Sequence, residues 1–140
     1  MFKAARILVA FDEKDESRSA LIKAIELTKR LGSKLFIAHV QEVKISPPYE
    51  TINDEPMIYE DSTEEALASA KRVLNENQLT AEIAILEGDP ANAILDHAEK
   101  LSADLIITGT RDQNRIKKLL FGSVSDKIST ESEIPVLIIK

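Results

Sequence analysis

Apolar residues along the chain form two kinds of segment, which alternate from one end to the other. Short runs that are apolar almost throughout occupy residues 5–11, 34–40, 104–108 and 134–139, whereas residues 81–86 alternate more. Runs without a polar face are typical of strands that helices cover on both sides of a parallel sheet. The alternating run predicts a strand nearer the edge of that sheet.

Between these strands, apolar residues recur every three or four positions, as on the buried face of a helix. The predicted helices start at Glu16, at Ser62 or Thr63, after Asp89-Pro90, and at Ser123, the last of them running to Ser129. Gly32 suits the position after the end of the first helix. Asp89 is a good N-cap residue, and Pro90 suits the first helical position.

Strands and helices therefore alternate as β-α-β-α-β-α-β-α-β, which favours parallel strands joined by right-handed crossovers. The sequence predicts one α/β domain over residues 1–140, an open doubly wound sheet of five parallel strands in the order 3-2-1-4-5 with helices on both faces. Ligands of such folds lie at the carboxyl ends of the first and fourth strands. Those ends are Phe11-Asp12 and Thr108-Gly109.

Residues 44–61 show no periodicity and contain three prolines, at 47, 48 and 56. We interpret this segment as a long loop between the second strand and the second helix. Loops of this length are commonly functional, so an interaction role is expected here.

Charge and composition exclude several classes of function. The net charge of −6 disfavours general binding to nucleic acid or to a membrane surface. The absence of cysteine rules out disulfides and thiolate chemistry. No apolar run approaches the roughly 20 residues that span a bilayer, and the N-terminus lacks the apolar region of a signal peptide, so a cytoplasmic protein is expected.

The segment after the fourth strand carries the candidate chemistry. Gly109 ends that strand, a basic loop follows over residues 110–118, and Gly122-Ser123 opens the last helix. Backbone N–H groups that gather at such a helix start suit anions, above all phosphate. The carboxylate of Asp12, at the neighbouring strand end, could accept hydrogen bonds from an adenine amino group or from ribose hydroxyls.

Each of these residues also has a purely structural interpretation. The glycines can simply mark the end of a strand and the start of a helix, and Ser123 and Asp12 can serve as helix caps. His39 and His97 are expected to be structural, because one lies in a buried strand and the other on an amphipathic helix. No metal-ligand spacing, G-x-S-x-G elbow, phosphate-binding G-x-x-x-x-G-K-[ST] loop or dinucleotide G-x-G-x-x-G motif is present, so hydrolase and redox chemistry find no support.

Three stretches together resemble the universal stress protein family: ILVAFD at residues 7–12, GTRDQNRIKKLLFGSVSDKI at 109–128, and PVLIIK at 135–140. The resemblance extends over essentially the whole chain and includes Ala38-His39-Val40 at the end of the second strand. It implies a dimeric protein that binds ATP or another adenine nucleotide, with or without Mg²⁺. No catalytic base is evident near the phosphates in the sequence, so ATP hydrolysis is expected to be slow or absent. The nucleotide site implied in this way comprises Phe11, Asp12, Val40, Gly109, Arg111, Gly122, Ser123, Val124 and Ser125. The dimer would form through the last strand, at Val136, Leu137, Ile138 and Ile139.

One position departs from the family pattern of Gly, two residues, Gly, nine residues, then Gly-Ser or Gly-Thr. Gly109 and Gly122 match its first and last glycines, but Asp112 stands at the middle one. A carboxylate beside a triphosphate is repulsive, so Asp112 would disrupt the site unless Arg111 or Arg115 neutralises it or it helps to ligate Mg²⁺.

Three functions remain to be compared. The first is an ATP-binding regulatory protein, and the second is a ligand-free dimeric interaction module that works through residues 44–61. The third is an enzyme of the wider adenine-binding α/β superfamily. It is disfavoured because residues 12–15, after the first strand, match neither the H-x-G-H nor the S-G-G-x-D-S loop of those enzymes.

Overall fold

Five parallel strands form the central sheet of the protein in the computed structural model. The structure describes residues 4–12, 15–41, 43–45, 51–52, 55–56, 58–60, 63–110 and 124–140. The strands in chain order are β1 (Arg6–Ala10), β2 (Lys34–Gln41), β3 (Val43–Ile45), β4 (Thr51–Ile52), β5 (Glu55–Pro56), β6 (Ile58–Glu60), β7 (Glu82–Glu87), β8 (Leu105–Gly109) and β9 (Val136–Ile139). The sheet has the order β7-β2-β1-β8-β9. When only these five strands are counted in chain order, β7, β8 and β9 are the third, fourth and fifth, so the predicted order 3-2-1-4-5 and the edge position of the third strand are confirmed.

Helices cover both faces of this sheet: α1 (Asp15–Leu31), α2 (Thr63–Glu76), α3 (Pro90–Leu101) and α4 (Val124–Glu131). Because side chains alternate along a strand, Ile7 and Val9 face α1 and α2, whereas Leu8 faces α3 and α4. Burying apolar side chains on both faces explains why the central strands are apolar almost throughout.

The predicted helix ends are found close to where the sequence indicated. Gly32 follows α1 with a φ of +66°, a left-handed conformation that glycine adopts without strain. Asp89 caps α3 by accepting a hydrogen bond from the N–H of Asn92 at 3.1 Å. None of the helices that the structure describes combines the length and the apolar composition needed to cross a membrane.

Strand β9 begins two residues later than predicted. The N–H of Ile134 binds the Ser132 hydroxyl at 2.9 Å in the preceding turn, so Ile134 does not join the sheet. The carbonyl of Pro135 accepts the first hydrogen bond from β8, at the N–H of Ile106.

Residues 44–61, interpreted from the sequence as a long loop whose conformation the sequence does not fix, contain short paired strands. Strand β3 pairs with β6 in antiparallel fashion, and the two-residue strands β4 and β5 pair in the same way. Strands of two or three residues are too short to leave a periodic pattern in the sequence, and so the apolar pattern alone did not reveal them.

Candidate functional site

The carboxyl ends of β1 and β8 lie side by side at one end of the sheet, its carboxyl edge. Val9 is in register with Ile107, so Phe11 and Asp12 leave β1 at the level where Gly109 ends β8. The Asp12 side chain is partly exposed at this edge. Asp12 and the end of β8 therefore lie at the end of the sheet where ligands of parallel α/β sheets lie.

Gly109 is held against the first turn of α1. A Cβ atom at this position would lie 2.4 Å from the carbonyl oxygen of Glu16 and 2.6 Å from its carbonyl carbon. The φ angle of Gly109 is not in the left-handed region, since the positive-φ glycines of the described chain are Gly32 and Gly88. Close packing of helix against strand thus accounts for this glycine without any ligand.

The peptide group that joins Phe11 to Asp12 is bonded through both of its polar atoms. The Phe11 carbonyl lies 2.8 Å from Nδ1 of His39, and the Asp12 N–H donates to the Ser17 hydroxyl at 3.2 Å. The Phe11 N–H continues the sheet by donating to the carbonyl of Ala38 at 2.9 Å. The Phe11 ring is 3% exposed and packs in the core, which leaves Asp12 as the residue of this pair whose side chain reaches the edge.

His39 connects three elements from its buried position in β2. A carbonyl oxygen only accepts hydrogen bonds, so Nδ1 carries the hydrogen that is donated to Phe11. Its Nε2 lies 3.2 Å from the hydroxyl of Thr63, the first residue of α2. The imidazole therefore ties the end of β1 to the start of α2, in keeping with the structural role expected for it.

The remaining predicted site residues divide into described and undescribed ones. Val40 is partly buried, directly after the buried part of β2 that ends at His39, and it packs with the core on the α3 side, as Val124 does at the start of α4. Ser125, also in the first turn of α4, is 4% exposed. Arg111, Asp112, Gly122 and Ser123 lie outside the described residues.

Strand β9, predicted to form a dimer, is at the edge of the five-stranded sheet. Leu137 is 37% exposed there, and the other residues of the strand are half-buried. An apolar edge strand of this kind offers unpaired backbone groups to a second strand.

Two pKa shifts describe the electrostatics around α3. The N–H of Asn92 holds the pKa of Asp89 below its usual range, and Lys127, 3.4 Å away on α4, acts in the same direction. Burial, followed by the charge of Lys100, lowers the pKa of His97 and so favours its neutral form. Within the described ranges, no three His, Cys, Asp or Glu side chains are grouped as a metal site would require.

Reasoning from the sequence missed Ser17 as a residue of this edge and did not foresee the contacts of His39. A histidine within an otherwise apolar strand was the available signal, because a buried imidazole needs hydrogen-bond partners. Ser17 carried no comparable signal, since a serine in the first turn of a helix is common.

Comparison with known proteins identifies relatives along the whole chain. The stress response protein NhaX of Bacillus subtilis is 46% identical, with all of both chains covered. A universal stress protein solved in complex with cAMP has a TM-score of 0.75 at 23% identity, covering 98% of this chain and 97% of that one. The universal stress protein of Archaeoglobus fulgidus solved in complex with dAMP has a TM-score of 0.68 at 23% identity, with all of both chains covered. At these identities the two structures establish the fold alone.

The profile of the universal stress protein family matches residues 3–140, nearly the full length. Together with the identity to NhaX over the whole of both chains, this match means that the chain belongs to the universal stress protein family.

Proposed function

We propose that this protein is a stress-response regulatory protein that binds an adenine nucleotide in the crevice between the ends of β1 and β8. The observation that carries the proposal is the placement of Asp12 beside the end of β8, at the switch point of the sheet. Solved family members with the same fold that hold cAMP and dAMP support an adenine ligand.

The adenosine half of the ligand would lie against the described part of the crevice. The Asp12 carboxylate is an acceptor for the ribose hydroxyls or the adenine amino group, and hydrogen bonds to a charged acceptor are stronger than neutral ones. Val40 lies one residue before the end of β2, the strand that pairs with β1, and its backbone would meet the adenine ring there.

The phosphates would lie at the start of α4, with Val124, Ser125 and the preceding Gly122-Ser123 supplying backbone N–H groups. Arg111 would offset phosphate charge. Mg²⁺, when bound, would neutralise the phosphates further. We assign no catalytic residue. Nucleotide occupancy would act by changing the shape of the protein or its choice of partner.

Asp112 is the sequence feature that favours a second function. If its carboxylate is neither neutralised nor bound to Mg²⁺, its charge opposes the phosphates. The protein would then be a ligand-free dimeric module that interacts through residues 44–61 and the dimer surface.

Thermal unfolding with added nucleotide separates the two functions. A ligand that binds only the folded state at 100 times its dissociation constant stabilises by about 2.7 kcal/mol, so millimolar ATP with Mg²⁺ should raise the melting temperature. Sodium tripolyphosphate at the same concentration is the control for simple anion binding. No shift with ATP would reject the proposal, and a shift that appears only in Asp112→Gly would favour the ligand-free module.

Mass spectrometry of small molecules released from the purified protein gives an independent readout. Recovered ATP or AMP would support nucleotide binding with Asp112 in place.

We also propose that two copies pair through β9, over Val136–Ile139. The apolar edge and the 37% exposure of Leu137 support this pairing, because an uncovered apolar edge invites association. Leu137→Glu should convert the dimer to a monomer in analytical ultracentrifugation. A dimer that persists unchanged in this variant would place the interface elsewhere.

A further inference from the structure

The Phe11–Asp12 peptide group is held from both sides by side chains of other elements. His39 of β2 donates to its carbonyl at 2.8 Å, and Ser17 of α1 accepts from its N–H at 3.2 Å. Neither bond belongs to the backbone ladder of the sheet, in which the preceding bond is the one from the Phe11 N–H to the Ala38 carbonyl. The plane of this peptide therefore depends on two side chains that come from separate parts of the chain.

Both side chains are buried. His39 is 5% exposed and is braced on its far side by the Thr63 hydroxyl at 3.2 Å. Ser17 is 8% exposed in the first turn of α1, the same turn that packs against Gly109. A buried imidazole with partners on both ring nitrogens has little freedom to rotate, and a helix backbone limits the serine in the same way.

We infer that His39 and Ser17 are positioning residues that clamp the Phe11–Asp12 peptide and so set the direction of the Asp12 carboxylate in the crevice. The inference rests on the proposed nucleotide function and adds residues that would not themselves touch the ligand. Tilting this peptide would swing the Cα–Cβ bond of Asp12, and a carboxylate displaced by about 1 Å loses most of its hydrogen-bond geometry. The clamp also links the crevice to α2, because Thr63 braces the same imidazole.

Two substitutions at His39 separate positioning from simple packing. In His39→Asn the side-chain NH₂ can take the place of Nδ1–H and keep the bond to the Phe11 carbonyl. In His39→Gln the amide reaches toward Thr63, and the bond to Phe11 is lost. Both variants are polar, uncharged and smaller than the imidazole, so their losses of melting temperature should be similar.

The expected result by calorimetric titration with ATP and Mg²⁺ is a split in affinity. His39→Asn should stay within about threefold of the parent, and His39→Gln should bind roughly tenfold more weakly, the effect of one lost hydrogen bond. Equal affinities in the two variants would overturn the positioning role of His39.

Amide hydrogen exchange tests the clamp without any nucleotide. Ser17→Ala should speed exchange of the Asp12 amide roughly tenfold, because its acceptor is removed. Ser69→Ala is the matched control, since Ser69 is equally buried in α2 and its hydroxyl has no hydrogen-bond partner among the described residues. Unchanged exchange at Asp12 in Ser17→Ala would overturn the clamp itself.

The ATP titration and the amide exchange experiment distinguish failure of the proposed function from failure of the positioning role. If the parent binds no nucleotide, the proposed function and the positioning role fall together, while the exchange experiment still decides whether the clamp exists. If the parent binds ATP and His39→Gln binds equally well, only the positioning role is lost.

Discussion

The two ends of the parallel sheet use their polar groups in different ways. At the amino end the chain closes on itself: the N–H of Lys34 binds the carbonyl of Ala5 at 2.7 Å, and Arg6 and Asp104 exchange two bonds between β1 and the start of β8. The Arg6 guanidinium adds a bond to the carbonyl of Leu101, at the end of α3, at 2.7 Å. All of these contacts connect residues at or just before the start of the strands to one another or to the end of α3.

At the carboxyl end, side chains from several elements meet instead. His39 of β2 and Ser17 of α1 hold the Phe11–Asp12 peptide, which presents the partly exposed carboxylate of Asp12, and Thr63 of α2 bonds His39. The amino ends of the strands are thus joined to one another by hydrogen bonds, whereas at the carboxyl end hydrogen bonds hold the peptide that carries the acidic group of Asp12. We expect changes at the amino end to alter stability alone and changes at the carboxyl end to alter binding.

Gly109→Ala is expected to give the largest effect, and it tests whether the carboxyl end is also structurally tight. The added Cβ would meet the Glu16 carbonyl at 2.4 Å, so backbone must shift. Overpacking of this kind should lower the free energy of unfolding by about 3 kcal/mol, measured by urea denaturation. In the control, Gly32→Ala, the new Cβ meets nothing within 4 Å and only its φ of +66° is unfavourable, which costs about 1 kcal/mol. Equal losses in the two variants would argue against the close approach of α1.

Asp12→Asn is the direct test of binding at the carboxyl end. It keeps the shape of the side chain but removes the charge, so ATP affinity should fall by about tenfold to a hundredfold. The free energy of unfolding should stay within about 1 kcal/mol of the parent, because the peptide clamp is unchanged. Calorimetric titration and urea denaturation measure the two quantities. A large loss of stability with unchanged affinity would reverse the assignment.

Asp104→Ala is the mirror experiment at the amino end. It removes the acceptor for the Arg6 N–H, 2.9 Å away, and should cost about 1 kcal/mol of unfolding free energy. ATP affinity should stay within about twofold, because the change lies at the opposite end of the strands. Asp104→Asn keeps an acceptor oxygen and should recover most of the loss. An affinity change in Asp104→Ala would show that the two ends are coupled.

The smallest expected effect concerns Asp89, which caps α3 just beyond the carboxyl end of β7. The pKa of this carboxyl is lowered in the folded state, first by the N–H of Asn92. Its contribution to stability is therefore present above the ordinary aspartate pKa of about 3.9 and is lost as the pH falls through the folded value. The difference in melting temperature between the parent and Asp89→Asn should shrink as the pH is lowered from neutral to below about 3. A difference that stays constant over that range would contradict this assignment.

The order of the sheet could be predicted because its strands are recognisable in the sequence. Buried strands such as β1 and β8 are apolar on both faces, and crossover handedness then leaves few arrangements. That order alone placed Asp12 beside the end of β8. The short pairs within residues 43–60 could not be found in this way, since strands of two or three residues have no measurable period.

Family resemblance extended the prediction in another direction. It named Arg111, Gly122 and Ser123 as nucleotide-binding residues and Asp112 as a departure, and these positions lie outside the described residues. Their roles stay predictions, as does the part of Val40 and Ser125 in holding a nucleotide.

The pattern of apolar and polar residues by itself determined the five strands of the main sheet and the helices between them, because burial on one or two faces leaves a periodic signal in the chain. The sheet order and the end of the sheet at which a ligand would lie followed from general rules for parallel α/β folds. Only the tertiary structure decided what surrounds Asp12. Ser17, His39 and Thr63 are far apart in sequence. The bonds from Ser17 and His39 to the Phe11–Asp12 peptide, and from Thr63 to His39, depend on side-chain directions within a few tenths of an ångström. Local sequence carries no record of such contacts, just as it gave no sign that the carbonyl of Glu16 leaves no room for a side chain at Gly109.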